Sequence, residues 1–340
     1  MNRLWIDKVT WDYDQWAALL AESGLKPEVL LDETYGIFEG ETLIATGSFY
    51  KNIIKCFAIK EAFKGGAVFN EMISFLLDRL ENYSAVFVYT KPESEASFRH
   101  LGFGKIEGNT HVSFMERPAT GFKHYVEGLK AHRKNVVSGA IVMNANPFTL
   151  GHRYLVEQAL ETVDHLHIFV LSEDTSQFSA AERMDMVRAG TGDLPVTVHP
   201  TDSYMVSSAT FPGYFLKDDV DALAVQGELD AAIFQNHIAT ALNITYRFVG
   251  DEPYSQTTAL YNDAMTRVFT PPLQLVVIPR LASDGKAISA STVRRLVAEG
   301  QWEEASKLIP PTTSDYLKHH ALQSVARLQQ DPNKGSKKSL

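Results

Sequence analysis

One cysteine, Cys56, is all this sequence has, so no internal disulfide can staple the chain. Its place in an apolar run marks it as a core thiol rather than a redox centre. Positive charge is also scarce: 32 Lys and Arg against 41 Asp and Glu leave a formal net charge of −9. General binding to nucleic acid needs a dense basic surface that releases counterions, and this balance excludes it while allowing a local anion site. No apolar stretch reaches membrane-spanning length, and the opening MNRLWIDKVTWDYDQW lacks the apolar run of a signal peptide. The absences together point to a cytoplasmic protein with neither nucleic acid nor membrane as a partner.

What is present suits a folded chain of two domains. The 340 residues are 45% apolar and 21% charged, enough for two cores and too apolar for disorder. Only the end, DPNKGSKKSL at 331–340, has the polar composition of a flexible tail. No internal repeat is visible.

The two halves differ in periodicity. From Tyr35, the segments YGIFEG, ETLIATGSFY and KNIIKCFAIK read as consecutive strands of an antiparallel meander. A helix is predicted from Ala67 to Leu80, with apolar residues at helical spacing, then a strand (Ser84 to Tyr89), a helix (Glu93 to Leu101) and a final strand pair. Polar, basic 117–135 reads as a linker, in which HYVEGLKAH forms a short helix. The boundaries expected are therefore 1–116, a linker, and a second domain over 136–330.

The first 115 or so residues resemble the GCN5-related N-acetyltransferase family, through a helix opened by Lys64-Gly65-Gly66 and through the later KPESEASFRHLGFGKI. In that family the loop before the central helix offers backbone N–H groups to a coenzyme A pyrophosphate, a use of helix N-termini that anion chemistry explains. The resemblance makes Lys64, Gly65 and Gly66 candidates for binding a CoA-like arm; read alone, the same residues favour a plain strand-to-helix turn.

After Asn135 strands and helices alternate. NVVSGAIVMN, HLHIFVLS, LPVTVH, ITYRFVG and LQLVVIP read as strands, with helices expected at Leu150 to Thr162, Ala180 to Ala189, within Lys217 to Ala241, and Thr257 to Val268. Alternation of this kind predicts a parallel, doubly wound, Rossmann-like sheet with its ligand at the carboxyl ends of the strands.

At the first of those ends, Asn146-Pro147-Phe148-Thr149-Leu150-Gly151-His152 joins a buried strand to a helix. Outward N–H groups and the positive end of the helix dipole make such a place suited to phosphate, and Gly151 permits close approach. Thr149-Leu-Gly-His152 resembles the first signature of the nucleotidylyltransferase superfamily. Far along the chain, Ile288-Ser289-Ala290-Ser291-Thr-Val-Arg294 resembles its second, with Ala290 replacing one serine. Each motif alone has a bland reading, a capping Thr beside a surface His or a helix start; the pair in one strand–helix domain favours a nucleotide site. The resemblance implies that His152 stabilises charge at the α-phosphate, that Thr149 adds a phosphate contact, and that Ser289, Ser291 and Arg294 hold the β- and γ-phosphates. Asn146, Pro147 and Phe148 are expected beside the nucleotide, and Lys286 is a secondary candidate. Met143 and Asn146 stand where many superfamily members have Gly and Asp.

An acetyltransferase-like domain ahead of this pair of motifs, with TFPGYFLK, RFVGDEPYSQTTALYNDAM and ISASTVRRL, resembles the [citrate (pro-3S)-lyase] ligase family over nearly the whole chain. The resemblance implies an acid–thiol ligase that uses ATP to activate acetate as acetyl-adenylate. The acetyl group then passes to the thiol of the CoA-like prosthetic group on the citrate lyase acyl-carrier subunit. It implies Mg²⁺ travelling with the triphosphate and no protein metal cage. Ser203, Tyr204, Ser207, Ser208 and Thr210 are candidates for an acetate pocket, and Arg247, Asp251 and Tyr261 are candidates by family likeness. Two other functions stay open: a small-molecule adenylyltransferase acting on a phosphate-bearing precursor, and a non-enzymatic CoA-sensing adaptor.

Overall fold

The computed structural model describes residues 1–6, 10–172, 177–205, 211, 213–216, 220–251, 256–283 and 286–319, without the side chains of 256–259, 282, 283 and 286. The chain divides into two compact units: Met1–Ala131 with Val206–Ala241 and Thr257–Val268, and His132–Met205 with Leu242–Gln256 and Phe269–Leu340. The first unit is a mixed α+β fold and the second carries the expected parallel, doubly wound sheet.

In chain order, the first unit begins β1 (Asn2–Leu4), α1 (Trp11–Glu22), β2 (Glu33–Glu39), β3 (Thr42–Tyr50), β4 (Ile53–Ile59), α2 (Ala67–Arg79), β5 (Val86–Thr90), α3 (Glu95–His100), β6 (Gly104–Gly108), β7 (Ser113–Arg117) and α4 (Gly121–Lys130). The sheet order is β1-β2-β3-β4-β5-β7-β6, antiparallel except for β4 against β5. The expected meander is β2-β3-β4. Met72, Ile73 and Leu76 form the buried stripe of α2 and pack with Ala45, Ile54 and Val88 in this unit's core. The sequence reading passed over β1 and α1. Thr10 caps α1 by accepting from the Tyr13 N–H, and Trp16, Leu19 and Leu20 are its buried face.

The second unit starts with β8 (Ser138–Met143), α5 (Leu150–Leu160), β9 (His165–Val170), α6 (Ala180–Thr191) and β10 (Val196–Pro200). The chain then gives α7 (Ala222–Ile233), a π-helical turn (Phe234–Ala239) and α8 (Thr240–Leu242), before β11 (Ile244–Gly250), α9 (Gln256–Val268), β12 (Gln274–Ile278), α10 (Ala290–Ala298) and α11 (Trp302–Ser306). The sheet order is β10-β9-β8-β11-β12, every pair parallel. β8 is thus the central strand, and the connection reverses direction beside it, the switch point where such sheets bind ligands. Ile141, Val156, Ile168, Val187 and Phe248 make the core between sheet and helices.

The helices expected within 217–241 and 257–268 exist, but their packing places them in the first unit. Gly227 lies against Ala264, and Tyr261 donates to the Asp230 carboxylate. The segment expected as linker, 117–135, holds the end of β7 and α4, which the first unit includes. The expected tail lies outside the described residues.

Candidate active site

The carboxyl end of β8 runs into the loop from Asn144 to Thr149, and Thr149 caps α5. Its extended backbone (φ −117°, ψ 168°) turns the chain into the helix, and its Oγ1 accepts from the His152 N–H at 3.3 Å. In return the Thr149 N–H donates to His152 Nδ1 at 3.0 Å, and Thr149 Oγ1 lies 2.9 Å from the same nitrogen. This is a capping box with His in the place usually held by Glu or Gln. A main-chain N–H can only donate, so Nδ1 accepts and the proton of the neutral ring sits on Nε2. Burial first, then the nearby positive charge of Arg280, lower the His152 pKa to about 4. The ring is a neutral donor at pH 7.

The two sequence motifs meet at this helix start. A Cβ added to Gly151 would lie 3.2 Å from the Ile288 carbonyl oxygen, so the absence of a side chain lets the second motif approach. Arg294 Nη1, one turn into α10, donates to the Asn146 carbonyl oxygen. At the start of α10, Ser289 accepts from the Thr292 N–H at 3.2 Å, and its Oγ lies 3.0 Å from Ser291 Oγ and 2.9 Å from Thr292 Oγ1. Two helix N-termini and a cluster of three hydroxyls therefore belong to one site, an arrangement that favours a polyanion.

Several expected contacts take a different form. Thr149 is buried, and its hydroxyl is engaged by His152. Phe148 is fully buried and stacks on His152 with ring centroids 5.7 Å apart; it supports the ring from the core and has no surface to offer a nucleotide. Asn146 precedes a cis peptide bond to Pro147, and its buried Oδ1 has no hydrogen-bond partner among the described residues. The Leu150 N–H is taken by the Leu308 carbonyl, and the Gly151 N–H in the same turn has no partner among the described residues. The Lys286 side chain and Ser207, Ser208 and Thr210 lie outside the described residues. Ser203 is exposed and Tyr204 buried. Arg247 is buried in β11 and Asp251 exposed at its end, while Tyr261 belongs to the first unit. Lys64, Gly65 and Gly66 line a cavity of about 540 Å³ in that unit, where Gly66 caps α2 and Gly65 takes φ +76°.

Two arginines were missed from sequence. Arg183, inside α6, is fully buried and donates to the Asn144 carbonyl oxygen at 3.0 Å, to Asn144 Oδ1 at 2.6 Å and to the Phe178 carbonyl at 3.1 Å. Nothing in AAERMDMV separates it from a solvated helical Arg. Arg280 follows β12, and its position at a carboxyl end of the parallel sheet was the available signal. Among the described residues no group of three or more His, Cys, Asp or Glu is arranged to hold a metal ion, and no helix is long and apolar enough to cross a membrane.

The model of the citrate lyase ligase C-terminal domain matches residues 138–317. The chain is 40% identical over 333 residues to a [citrate [pro-3S]-lyase] ligase of Escherichia coli K12, covering 93% of this chain and 94% of that protein. The chain belongs to the citrate lyase ligase family. A Haemophilus influenzae relative with the same description is 41% identical, covering 83% of this chain and 88% of its own length. Likeness to solved structures is slight: Thermotoga maritima TmcAL bound with alpha-thio ATP matches with a TM-score of 0.37 at 13% identity, over 55% of this chain and 56% of that one. Family membership thus rests on the sequence relatives, and the capped His152 and the joined helix starts lie inside the matched domain.

Proposed function

We propose that this chain is an ATP-dependent acid–thiol ligase for citrate lyase, with its adenylation site at the joined starts of α5 and α10. Acetate is the acid. One acetate oxygen attacks the α-phosphorus of ATP in line, the bond to the bridging oxygen breaks, and pyrophosphate leaves with that electron pair. The thiol of the CoA-like group on the citrate lyase acyl-carrier subunit then attacks the acetyl carbon, loses its proton and releases AMP.

The observation that carries this reading is the His152 ring, fixed through Nδ1 and neutral, with Nε2–H as its donor. Such a donor stabilises charge growing on the α-phosphate without competing as a base. Ser289, Ser291 and Arg294 are assigned to the β- and γ-phosphates, and the Gly151 N–H to the same anion. Mg²⁺ bound to the triphosphate would neutralise charge on the leaving pyrophosphate; the donors present suit an ion held through phosphate and water, and Asn146 Oδ1 is available to one such water. The first unit is assigned the CoA-like arm, in the cavity bordered by Lys64, Gly65 and Gly66.

Mass analysis of the deacetylated acyl-carrier subunit after incubation with this protein, ATP and acetate tests the reading. One acetyl group gained per carrier, with AMP and pyrophosphate formed in step, supports it. A stable adenylated phosphate ester would instead identify an adenylyltransferase, and absence of ATP turnover an adaptor.

A further inference from the structure

The loop from Asn144 to Thr149 is held by both helices that begin at the site. His152 of α5 accepts from the Thr149 N–H at 3.0 Å, and Arg294 of α10 donates to the Asn146 carbonyl oxygen. A third hold comes from α6. Its Arg183 is fully buried and has no surface to offer a ligand. Nε donates to the Phe178 carbonyl oxygen at 3.1 Å, just ahead of the helix, and this anchors the guanidinium plane. Nη1 is thereby presented to Asn144, donating to its carbonyl oxygen at 3.0 Å and to its Oδ1 at 2.6 Å.

This grip falls beside a strained residue. Ala145 is buried with φ +49°, a left-handed conformation in which Cβ crowds the following carbonyl. Such a residue persists where its surroundings over-determine it. Further along α6, a Cβ added to Gly190 would lie 2.5 Å from the Phe148 ring, and the Gly190 carbonyl oxygen accepts from Arg153 of α5 at 2.7 Å. Phe148 in turn stacks on His152. The helix therefore meets the loop twice, at the turn that leaves β8 and under the ring assigned to the α-phosphate.

We propose that Arg183 is a positioning residue for adenylation: its fork holds Asn144 so that Ala145 keeps the left-handed turn, and the turn delivers Phe148, Thr149 and His152 to the site. This rests on placing adenylation at the starts of α5 and α10. Charge-assisted bonds to Asn144 offset the steric cost at Ala145. Without them the loop relaxes toward an ordinary φ, and a shift of about 1 Å in a reacting group costs on the order of 10²-fold in rate. A lysine at this place keeps the charge but loses the planar fork that serves Phe178 and Asn144 together.

Acetate-dependent pyrophosphate exchange by the full chain tests this. Arg183→Lys should lower kcat by about tenfold to a hundredfold while KM for ATP stays within about threefold. Adding Ala145→Gly should return kcat to within about threefold of the unmodified protein, because glycine takes the left-handed turn without being held. Val187→Ala, which trims a buried side chain of the same helix, is the structural comparison: it should lower the melting temperature and leave kcat within about twofold. Should Arg183→Lys not fold, Asn144→Ala deletes the acceptor of the 2.6 Å bond and should show the same kcat loss, about tenfold, with the same rescue by Ala145→Gly. A folded Arg183→Lys protein with the unmodified rate would overturn the positioning role. An equal kcat loss in Val187→Ala would also overturn it, leaving Arg183 as general support of the fold. A loss that Ala145→Gly leaves untouched would overturn the left-handed turn as its route. If His152→Ala exchanges normally, the site itself is misplaced, and the role of Arg183 falls with it.

Discussion

Thr149 and His152 hold one another through three contacts: main-chain N–H to ring Nδ1, hydroxyl to ring Nδ1, and hydroxyl to main-chain N–H. The same bonds cap α5 and set the tautomer of the ring, so stability and the proposed chemistry share a residue. Thr149→Ala should cost about 1 kcal/mol of stability, as lost N-caps do. It should also lower the adenylation rate by about tenfold, since the ring keeps only its main-chain anchor. Thr149→Ser should restore most of both. Turnover in acetate-dependent pyrophosphate exchange, compared with melting temperature, separates the two effects; a rate unchanged in Thr149→Ala would remove the positioning role.

Arg294 joins the second motif to the first by donating to the Asn146 carbonyl. In the proposed reaction its remaining donors face the β- and γ-phosphates, a task for a planar fork that a lysine ammonium fills poorly. Arg294→Lys should raise KM for ATP by about tenfold or more while leaving KM for acetate within about twofold. Equal changes in both constants would place Arg294 in general support of the loop instead.

The alternation after Asn135 and the two motifs were legible because buried parallel strands are continuous apolar runs and helix starts carry capping residues. Less legible was what each motif residue does. Thr149 and Phe148 look like ligand contacts in a motif, and only packing shows one turned to the ring and the other beneath it. Arg183 was invisible because periodicity cannot tell a guanidinium buried under Asn144 from one in water. The helices at 222–233 and 256–268 were found, but strand–helix alternation gave no sign that they pack with the first unit. β1 was too short for a pattern, with only three residues.

His167 and His199, on neighbouring strands β9 and β10, lie 3.0 Å apart, Nδ1 to Nε2. Burial, then neighbouring positive charge, lowers their pKa values to about 3 and about 4. The sign follows directly. The unfolded chain takes up these protons near pH 6.5 and the folded chain resists them, so stability is full above that value and falls as the pH drops toward 4. The loss should reach up to about 3 kcal/mol per ring between pH 7 and pH 4. In urea titrations over that range, replacing both residues with Gln should flatten the decline, whatever it does to stability at pH 7. A slope as steep as that of the unmodified protein would show that other groups govern it.

The proposed adenylation mechanism depends on His152 as a neutral donor. With its pKa near 4, the ring stays neutral throughout the working range, and exchange activity should show no inflection near pH 6.5 from this residue. Below about pH 4 a second proton on Nδ1 would oppose the Thr149 N–H and break the cap, so activity should fall there. Removing the donor leaves the negative charge of the transition state with one fewer preorganised partner, which typically costs ~10²–10³ in turnover. His152→Ala should show that loss in kcat with little change in KM for ATP, because the contact strengthens only as charge develops. His152→Asn should recover part of it if donation, rather than proton transfer, is the task. The ring also stacks on Phe148, so its removal opens a gap in a partly buried place, and melting temperatures must accompany the kinetics. Labelled pyrophosphate exchange into ATP, driven by acetate, reads adenylation apart from transfer to the carrier. A His152→Ala protein that melts and exchanges like the unmodified one would sink the assignment of this helix start as the site of chemistry.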